Sequence, residues 1–241
     1  MLQWIRSITF VVLATVYMPV VGLLYAPWAM FSKRGAYAGC KAYARGTMWM
    51  ADKIVGMRCE VRGSVPDGAV LVAAKHQSFL DILMIFNALP QAKFIMKKEI
   101  LWTPVIGLYA KRMEMVAVNR GKRGAAISKM LADVKAGEAE PGQLVIYSQG
   151  TRVAPGLSMP YKTGTAALYE QMGQVCVPVA TNAGYFWPRR GLYRKPGVAV
   201  VEFLDPILPG LGRAEFMKKL ESVVETRSDA LLEEAGFRAP R

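Results

Sequence analysis

The amino-terminal segment of residues 7–32 carries no charged side chain over 26 consecutive positions. A helix of about 20 apolar residues is long enough to cross the hydrocarbon core of a bilayer. One basic residue, Arg6, precedes the segment, whereas Lys33, Arg34, Lys41 and Arg45 follow it. Because the cytoplasmic flanks of membrane segments are enriched in Lys and Arg, the segment predicts a membrane anchor that leaves the rest of the chain in the cytoplasm.

Two other interpretations of this segment remain open, namely a cleaved signal peptide and a buried core helix. Pro19, Gly22 and Pro27 interrupt the segment, so a kinked or re-entrant helix that enters one leaflet is an alternative to a straight span. The next stretch, residues 35–56, mixes apolar and aromatic residues with Lys and Arg. It predicts an amphipathic helix that lies against the membrane, or else an ordinary helix packed on the domain.

The whole chain is apolar and at the same time strongly basic. Hydrophobic residues make up 53% of the 241 positions, which excludes disorder for most of the chain. The formal charge is +13, from 31 basic and 18 acidic side chains, which suits an anionic membrane surface or nucleic acid. RNP, KH and zinc-finger signatures are absent from the sequence, so we expect no nucleic-acid partner. With a single histidine and three scattered cysteines, we also expect no metal site.

Beyond residue 56 the sequence alternates short apolar runs with segments of helical length. It predicts strands at residues 69–74, 113–118, 144–147, 175–180 and 197–204, and helices at residues 79–89, 125–135, 165–172 and 213–235. This order is typical of an α/β fold with a mostly parallel central sheet flanked by helices, here with an N-terminal membrane helix or helical hairpin. We therefore expect a membrane anchor with an interfacial helix in residues 1–56 and an α/β domain in residues 57–241.

The single histidine follows the first of these strands, in the sequence HQSFLD at residues 76–81. His76 and Asp81 would point about 140° apart on one continuous helix, but they can meet if His76 lies on the turn and Asp81 in the first helical turn. Ser78 and Asp81 have the spacing of a capping box, which favours a helix start there. A carboxylate that orients an imidazole makes a general base, so the pair is a candidate for catalysis. The alternative is that Asp81 only caps the helix.

Further motifs follow in the order KKEI at residues 97–100, VNRG at 118–121, SQGTR at 148–152 and VPV at 177–179. Together with the H-x4-D pattern they resemble the glycerolipid acyltransferase family. Within that family the chain looks most like the bacterial 1-acylglycerol-3-phosphate acyltransferases. The resemblance extends over the whole chain in the right order and includes the apolar amino terminus.

The resemblance implies transfer of an acyl group from acyl-CoA or acyl carrier protein to the sn-2 hydroxyl of lysophosphatidic acid, which gives phosphatidic acid. It implies that His76 takes the proton from that hydroxyl and that Asp81 holds the imidazole in the correct tautomer. Apart from the acyl donor as co-substrate, it implies no cofactor and no acyl-enzyme intermediate. It also implies a location at the inner membrane, with the active domain on the cytoplasmic face.

The same resemblance assigns substrate-binding roles to residues in the later motifs. Arginine suits a phosphate contact because its planar guanidinium can bind two oxygens at once. The residues so assigned are Lys98, Arg120, Gln149, Gly150, Thr151, Arg152 and Pro178. Pro178 belongs to the motif that usually forms an apolar wall in the family.

One position departs from the family pattern. The family usually has a glutamate before the Gly-Thr-Arg triplet, whereas this chain has Gln149, preceded by Ser148 where proline is common. An amide donates and accepts hydrogen bonds but carries no charge, so a carboxylate role at this position is excluded. Two alternatives stay open. One is an acyltransferase for another lyso-lipid, such as lyso-ornithine lipid, whose enzymes resemble this family closely; the other, which Gln149 favours, is a catalytically silent membrane protein that binds phospholipid.

Overall fold

The computed structural model describes residues 1–118, 128, 132 and 141–238. Apart from Ser128 and Ala132, the helix expected at residues 125–135 lies outside the described residues, and so does Arg120. The chain begins with a helical hairpin and continues into an α/β sheet structure.

The hairpin consists of α1 (Leu2–Phe31) and α2 (Lys33–Met50), followed by a widened helical turn at Ala51–Val55. Ser32 separates the two helices because its backbone is extended, and its hydroxyl accepts a hydrogen bond from the Gly35 N–H at 3.4 Å. A Cβ at Gly35 would lie 2.6 Å from Trp28 Cγ. The helices therefore pack more closely here than any side chain at Gly35 would allow.

Helix α1 lies along the α/β domain and is bound to it at two distant points. Gln3 Nε2 donates to the carbonyls of Val55 at 3.0 Å and Arg194 at 2.9 Å. About two-thirds of the way along the helix, the Gly22 carbonyl accepts a hydrogen bond from the Tyr109 hydroxyl at 2.7 Å. The first turn of α1 and its carboxyl-terminal third are therefore both held by the domain.

Helix α1 is also long and apolar enough to cross a membrane by length and composition. Its large apolar side chains, such as Leu23, Leu24 and Phe31, are exposed. An exception is Phe10, which is fully buried and meets the Trp187 ring edge-on at a centroid distance of 5.2 Å. The exposure along the helix contradicts the alternative of a buried core helix.

The strands in the described part of the chain form one sheet in the order β1-β7-β6-β2-β5-β3-β4. All neighbouring strands pair in parallel except β6 and β7, as expected for a mostly parallel sheet. The carboxyl ends of β2, β3, β4, β5 and β6 therefore share one edge. The strands are β1 (Met57–Arg62), β2 (Leu71–Ala74), β3 (Ala92–Lys97), β4 (Val116–Val118), β5 (Gln143–Tyr147), β6 (Cys176–Thr181) and β7 (Gly197–Phe203).

Helices cover both faces of the sheet. Along β2, Val72 and Ala74 belong to a core shared with the hairpin and α3, whereas Leu71 and Ala73 belong to a core shared with α5 and α7. This alternation explains why the central strands read as continuous apolar runs. The remaining helices are α3 (Leu80–Ala88), α4 (Ile106–Arg112), α5 (Gly164–Met172), α6 (Ala183–Phe186) and α7 (Arg213–Glu234).

Most predicted elements are confirmed within two residues at each end, but one strand was predicted too long. The strand expected at residues 113–118 is only Val116–Val118. Glu114 has a φ of +57°, in the left-handed region, so the chain turns there before it can extend. The strands β1 and β3 and the helices α4 and α6 were not predicted. Both missed strands contain charged residues, which hide the apolar pattern.

Candidate active site

The turn between β2 and α3 brings His76 and Asp81 together. His76 Nδ1 lies 2.8 Å from Asp81 Oδ1. His76 lies on the turn after β2, and Asp81 lies in the first turn of α3. The His76 side chain is 12% exposed, whereas the Asp81 side chain is completely buried. The imidazole thus presents one small accessible edge, and its carboxylate partner is shielded from water.

The carboxylate of Asp81 is fixed by the start of the helix. Its second oxygen, Oδ2, accepts hydrogen bonds from the backbone N–H groups of Gln77 at 2.8 Å and Ser78 at 2.7 Å. The Ser78 hydroxyl accepts from the Leu80 N–H at 3.0 Å and donates to the Trp187 carbonyl at 2.6 Å. These bonds leave Oδ1 for the imidazole. With Asp81 ionised, Nδ1 of the neutral ring carries the proton and Nε2 keeps a free lone pair.

Tyr147, which was not predicted as a site residue, lies against one face of the His76 ring. Tyr147 ends β5 directly beside Ala74 of β2, and its ring stacks on the imidazole with centroids 3.9 Å apart and planes 18° apart. Burial, reinforced by the nearby Asp81 carboxylate, raises the pKa of Tyr147 well above its ordinary value. The phenol therefore stays neutral beside the imidazole. The feature of the sequence that could have predicted this contact is an aromatic residue at the carboxyl end of a strand.

The loop after β5 is bound to the backbone of His76. Gly150 has a φ of +69° and its N–H donates to the Tyr147 carbonyl at 2.8 Å, which reverses the chain. The N–H of Val153 then donates to the His76 carbonyl at 2.8 Å. The Gly150-Thr151-Arg152 triplet therefore lies beside the histidine, and Thr151 and Arg152 are half-buried.

Basic side chains surround this loop. A Cβ at Gly150 would lie 2.9 Å from Lys162 Nζ, so the Lys162 ammonium lies next to the glycine. Arg189 Nη1 donates to the Arg152 carbonyl at 3.4 Å. Arg152, Lys162 and Arg189 together make this part of the site electropositive. Lys162 was not predicted, because it belongs to none of the recognisable motifs.

The other predicted binding residues differ in burial: Gln149 and Pro178 are buried, whereas Lys98 is exposed. Gln149 is buried and its Nε2 donates to the Met159 carbonyl at 3.2 Å, so its amide fastens the loop. Pro178 is buried within β6 opposite Ala73, and its carbonyl accepts from the Leu204 N–H at 2.9 Å. Lys98 is exposed in the helical turn after β3, at the same edge of the sheet as His76.

A buried ion pair ties the last helix to the site. Lys75, which precedes His76, is 2% exposed and forms an ion pair with Glu225 of α7. The second oxygen of Glu225 accepts a hydrogen bond from the Tyr161 hydroxyl at 2.8 Å. Burial and the Glu225 charge raise the pKa of Tyr161, so this phenol also remains a donor. The end of β2 and α7 are thereby fixed relative to each other.

The region that contains His76, Asp81 and the loop after β5 matches a known protein family. A family model described as Acyltransferase matches residues 57–182, from β1 to the end of β6. The chain belongs to the acyltransferase family. Within the described residues of this acyltransferase, no three His, Cys, Asp or Glu side chains come together as metal ligands would.

Several curated acyltransferases are similar in sequence. A 1-acyl-sn-glycerol-3-phosphate acyltransferase from Pseudomonas aeruginosa is 26% identical over 204 residues, which cover 83% of this chain and 79% of that protein. The human 1-acyl-sn-glycerol-3-phosphate acyltransferase alpha is 30% identical over 64% of this chain. The chain spans 56% of the human relative and 57% of the mouse relative.

A solved acyltransferase structure has the same fold. The crystal structure of the 1-acyl-sn-glycerophosphate acyltransferase PlsC from Thermotoga maritima superimposes with a TM-score of 0.77 at 20% identity. The match covers 95% of this chain and 97% of that protein. It therefore includes the amino-terminal hairpin as well as the α/β sheet, and it confirms the predicted fold class.

Proposed function

We propose that the protein transfers a fatty acyl group from acyl-CoA or acyl carrier protein to the sn-2 hydroxyl of 1-acyl-glycerol-3-phosphate, giving phosphatidic acid. The observation that carries this proposal is the His76–Asp81 pair at 2.8 Å, placed beside the electropositive loop of Arg152. The names of the similar proteins from Pseudomonas and human support the choice of acceptor. No bound group beyond the two substrates is needed for this chemistry.

In the proposed reaction His76 acts as the general base. Its Nε2 removes the proton from the acceptor hydroxyl while Asp81 stabilises the imidazolium that forms. The hydroxyl oxygen bonds to the thioester carbonyl carbon, and the carbon–sulfur bond then breaks. The leaving thiolate takes the proton from His76, so the imidazole is neutral again at the end of the cycle. The acyl group passes directly to the acceptor.

The basic side chains of the site would bind the phosphate of the acceptor. Arg152 can hold two phosphate oxygens through its planar guanidinium, and Lys162 adds a second charge next to Gly150. Arg120 and Lys98 remain proposed contacts, with Arg120 outside the described residues. Thr151 contributes its hydroxyl and Gly150 an exposed backbone, whereas buried Gln149 and Pro178 support the loop and the strand from inside.

The hairpin of residues 1–56 would attach the acyltransferase domain, residues 57–241, to one leaflet of the inner membrane from the cytoplasmic side. The exposed apolar side chains of α1 support contact with lipid. A full crossing would require α1 to lose the hydrogen bonds that join Gln3 to Arg194 and Gly22 to Tyr109, so a one-leaflet attachment agrees best with these contacts. The bilayer would then deliver the lyso-lipid acceptor directly to the site.

A panel of acceptors and donors tests the reaction. Purified full-length protein in phospholipid vesicles is offered lysophosphatidic acid or lyso-ornithine lipid with radiolabelled acyl-CoA or acyl carrier protein. We expect labelled phosphatidic acid, and a loss of roughly 10²–10⁴ in kcat for His76→Ala because the general base is removed. Binding of lysophosphatidic acid by His76→Ala should persist, which is the control for folding.

Each other outcome of this panel has a definite meaning. Undiminished transfer by His76→Ala would refute the mechanism. Turnover of lyso-ornithine lipid alone would reassign the acceptor to another lyso-lipid. Binding of phospholipid with no turnover of either acceptor would identify a catalytically silent lipid-binding protein.

A further inference from the structure

An exposed apolar surface lies next to the candidate active site, outside the hairpin. We define the Trp102 surface as Trp102, Ile106 and Leu108, which are 78%, 39% and 38% exposed. Trp102 ends the helical turn after β3, and the other two residues belong to α4. A tryptophan with more than three-quarters of its surface in water calls for an explanation, because large aromatic side chains gain most from burial.

The Trp102 surface adjoins the apolar helix α1. The hydroxyl of Tyr109 in α4 donates to the Gly22 carbonyl, and a Cβ at Gly22 would lie 2.4 Å from Val105 Cγ1. The Val105 side chain therefore packs directly on the backbone of α1 at Gly22. On α1, Leu23 and Leu24 immediately follow this contact and are exposed. Exposed apolar residues of α1 thus lie within one helical turn of the point where α1 contacts the segment of the Trp102 surface.

The Trp102 surface also lies on the side of the molecule that carries the His76 turn. Strand β3 runs parallel to β5, so its carboxyl end lies at the same sheet edge as the His76 turn. Trp102 follows that end by five residues. A partner that covers Trp102 would therefore also lie near the entrance of the site.

The charges around this surface match an anionic partner. Residues 97–112 contain four basic residues, Lys97, Lys98, Lys111 and Arg112, against one acidic residue. Lys111 Nζ lies 5.8 Å from the centroid of the Trp102 ring. Tryptophan prefers the headgroup level of a membrane, and nearby Lys and Arg are attracted to anionic lipids. This combination is typical of a membrane-contacting segment.

We propose that the Trp102 surface inserts into the headgroup region of an anionic bilayer, as a second membrane contact beside α1. Its functional meaning rests on the proposed function, because the contact would hold the entrance of the His76 site against the lipid that contains the acceptor. The occupant is the lipid surface; a second copy of the chain or another protein is an outcome that the test can recognise.

Fluorescence quenching by brominated phospholipids tests the contact without any need for turnover. The full-length protein and Trp102→Phe are reconstituted into vesicles of phosphatidylethanolamine and phosphatidylglycerol with brominated acyl chains. The difference in fluorescence between the two proteins is the Trp102 component. We expect this component to be strongly quenched in the brominated vesicles and unquenched in vesicles with ordinary chains. His76→Ala should behave as the unaltered protein. Equal fluorescence of the Trp102 component in both vesicle types would overturn the proposal.

A kinetic comparison gives a second readout with a matched control. Leu208 is 69% exposed and follows Ile207, which bridges to Cys176 at the opposite edge of the sheet. For acceptor presented in vesicles, we expect Trp102→Ala to raise KM roughly fivefold, which corresponds to about 1 kcal/mol. Leu208→Ala should leave this KM unchanged. For a short-chain acceptor dissolved in water, both variants should have the KM of the unaltered protein.

The remaining outcomes separate this proposal from the proposed function. Quenching of Trp102 without turnover of any acceptor would support the membrane contact and refute the proposed function. An equal rise of KM for vesicle-borne and dissolved acceptor would show that Trp102 acts on the site and not on the membrane. A dimer that dissociates in Trp102→Ala, with no quenching, would assign the surface to a second copy of the chain.

Discussion

At the scale of single residues, His76 is held by two different contacts. Asp81 fixes the ring through Nδ1, and Tyr147 fixes its plane from below with centroids 3.9 Å apart. A hydrogen bond alone leaves an imidazole free to tilt about the bond, whereas stacking removes that freedom. The direction of Nε2 is therefore set by the fold itself, as the proposed role of His76 as general base requires.

The stacking contact predicts different results for two substitutions of Tyr147. Tyr147→Phe keeps the ring and should retain kcat within about threefold, whereas Tyr147→Leu should lower kcat roughly 10–100-fold because a misplaced base is inefficient. The acceptor KM should change little in both variants, since Tyr147 acts through His76. Steady-state kinetics of acyl transfer measure the difference, with circular dichroism as a check of folding. Equal activity of the two variants would show that stacking is unimportant.

At the scale of elements, Glu114 connects the hairpin to the sheet. Its carboxylate pairs with Lys33 at the start of α2 and with Lys93 of β3, the latter at 3.0 Å. Partial burial by itself favours the neutral acid, but the two ammonium groups outweigh it and lower the pKa of Glu114. The ionised carboxylate therefore contributes stability in the folded state.

The sign of this shift predicts how stability depends on pH. The contribution of Glu114 is fully present above the ordinary glutamate pKa of about 4.3 and is lost as pH falls through the lower value of the folded state. The free energy of unfolding should fall between pH 6 and pH 3 in both the unaltered protein and Glu114→Gln. We expect the fall to be larger in the unaltered protein, by roughly 0.5–1 kcal/mol. Urea unfolding at both pH values measures the difference. Asp205→Asn, which removes a carboxylate from the exposed surface, is the control for the loss of one negative charge.

Local features of the sequence were enough to predict the His76 turn. Contacts between elements that are distant in the sequence could not be predicted in this way. Ser78 and Asp81 are three residues apart, so their capping interaction is set by the chain itself. Tyr147 meets His76 only because β5 pairs with β2, and Lys75 meets Glu225 across 150 residues of sequence. Strand order and the docking of α7 depend on the packing of the whole core, which a periodicity argument does not determine.

At the scale of the whole molecule, the hairpin and the domain form one connected body. Helix α1 is bound to the domain at Gln3 and Gly22, and Trp28 packs against Gly35 of α2. The 30 residues of α1 cover about 45 Å, which is long enough for a span but here runs beside the domain. Three arrangements in a membrane are conceivable: a single span, a spanning hairpin and a hairpin in one leaflet.

Cysteine labelling distinguishes these arrangements. In a variant without the native cysteines, single cysteines replace Leu2, Arg34 or Leu208, and inverted inner-membrane vesicles are treated with an impermeant maleimide. We expect labelling at all three positions, because a one-leaflet hairpin keeps them on the cytoplasmic side. A single span would protect Leu2→Cys, and a spanning hairpin would protect Arg34→Cys. The exposed Leu208→Cys serves as the reference for the domain.

The contact between Phe10 and Trp187 has a consequence for work with the isolated protein. Trp187 contacts α1 with its ring and accepts the Ser78 hydroxyl hydrogen bond with its carbonyl, so a single residue bridges the apolar helix α1 and the start of α3. A detergent that separates α1 from the domain would remove the Phe10 contact of Trp187 and weaken the support of the His76 turn, even with every strand intact. Choice of solubilising agent thus becomes part of the enzymology.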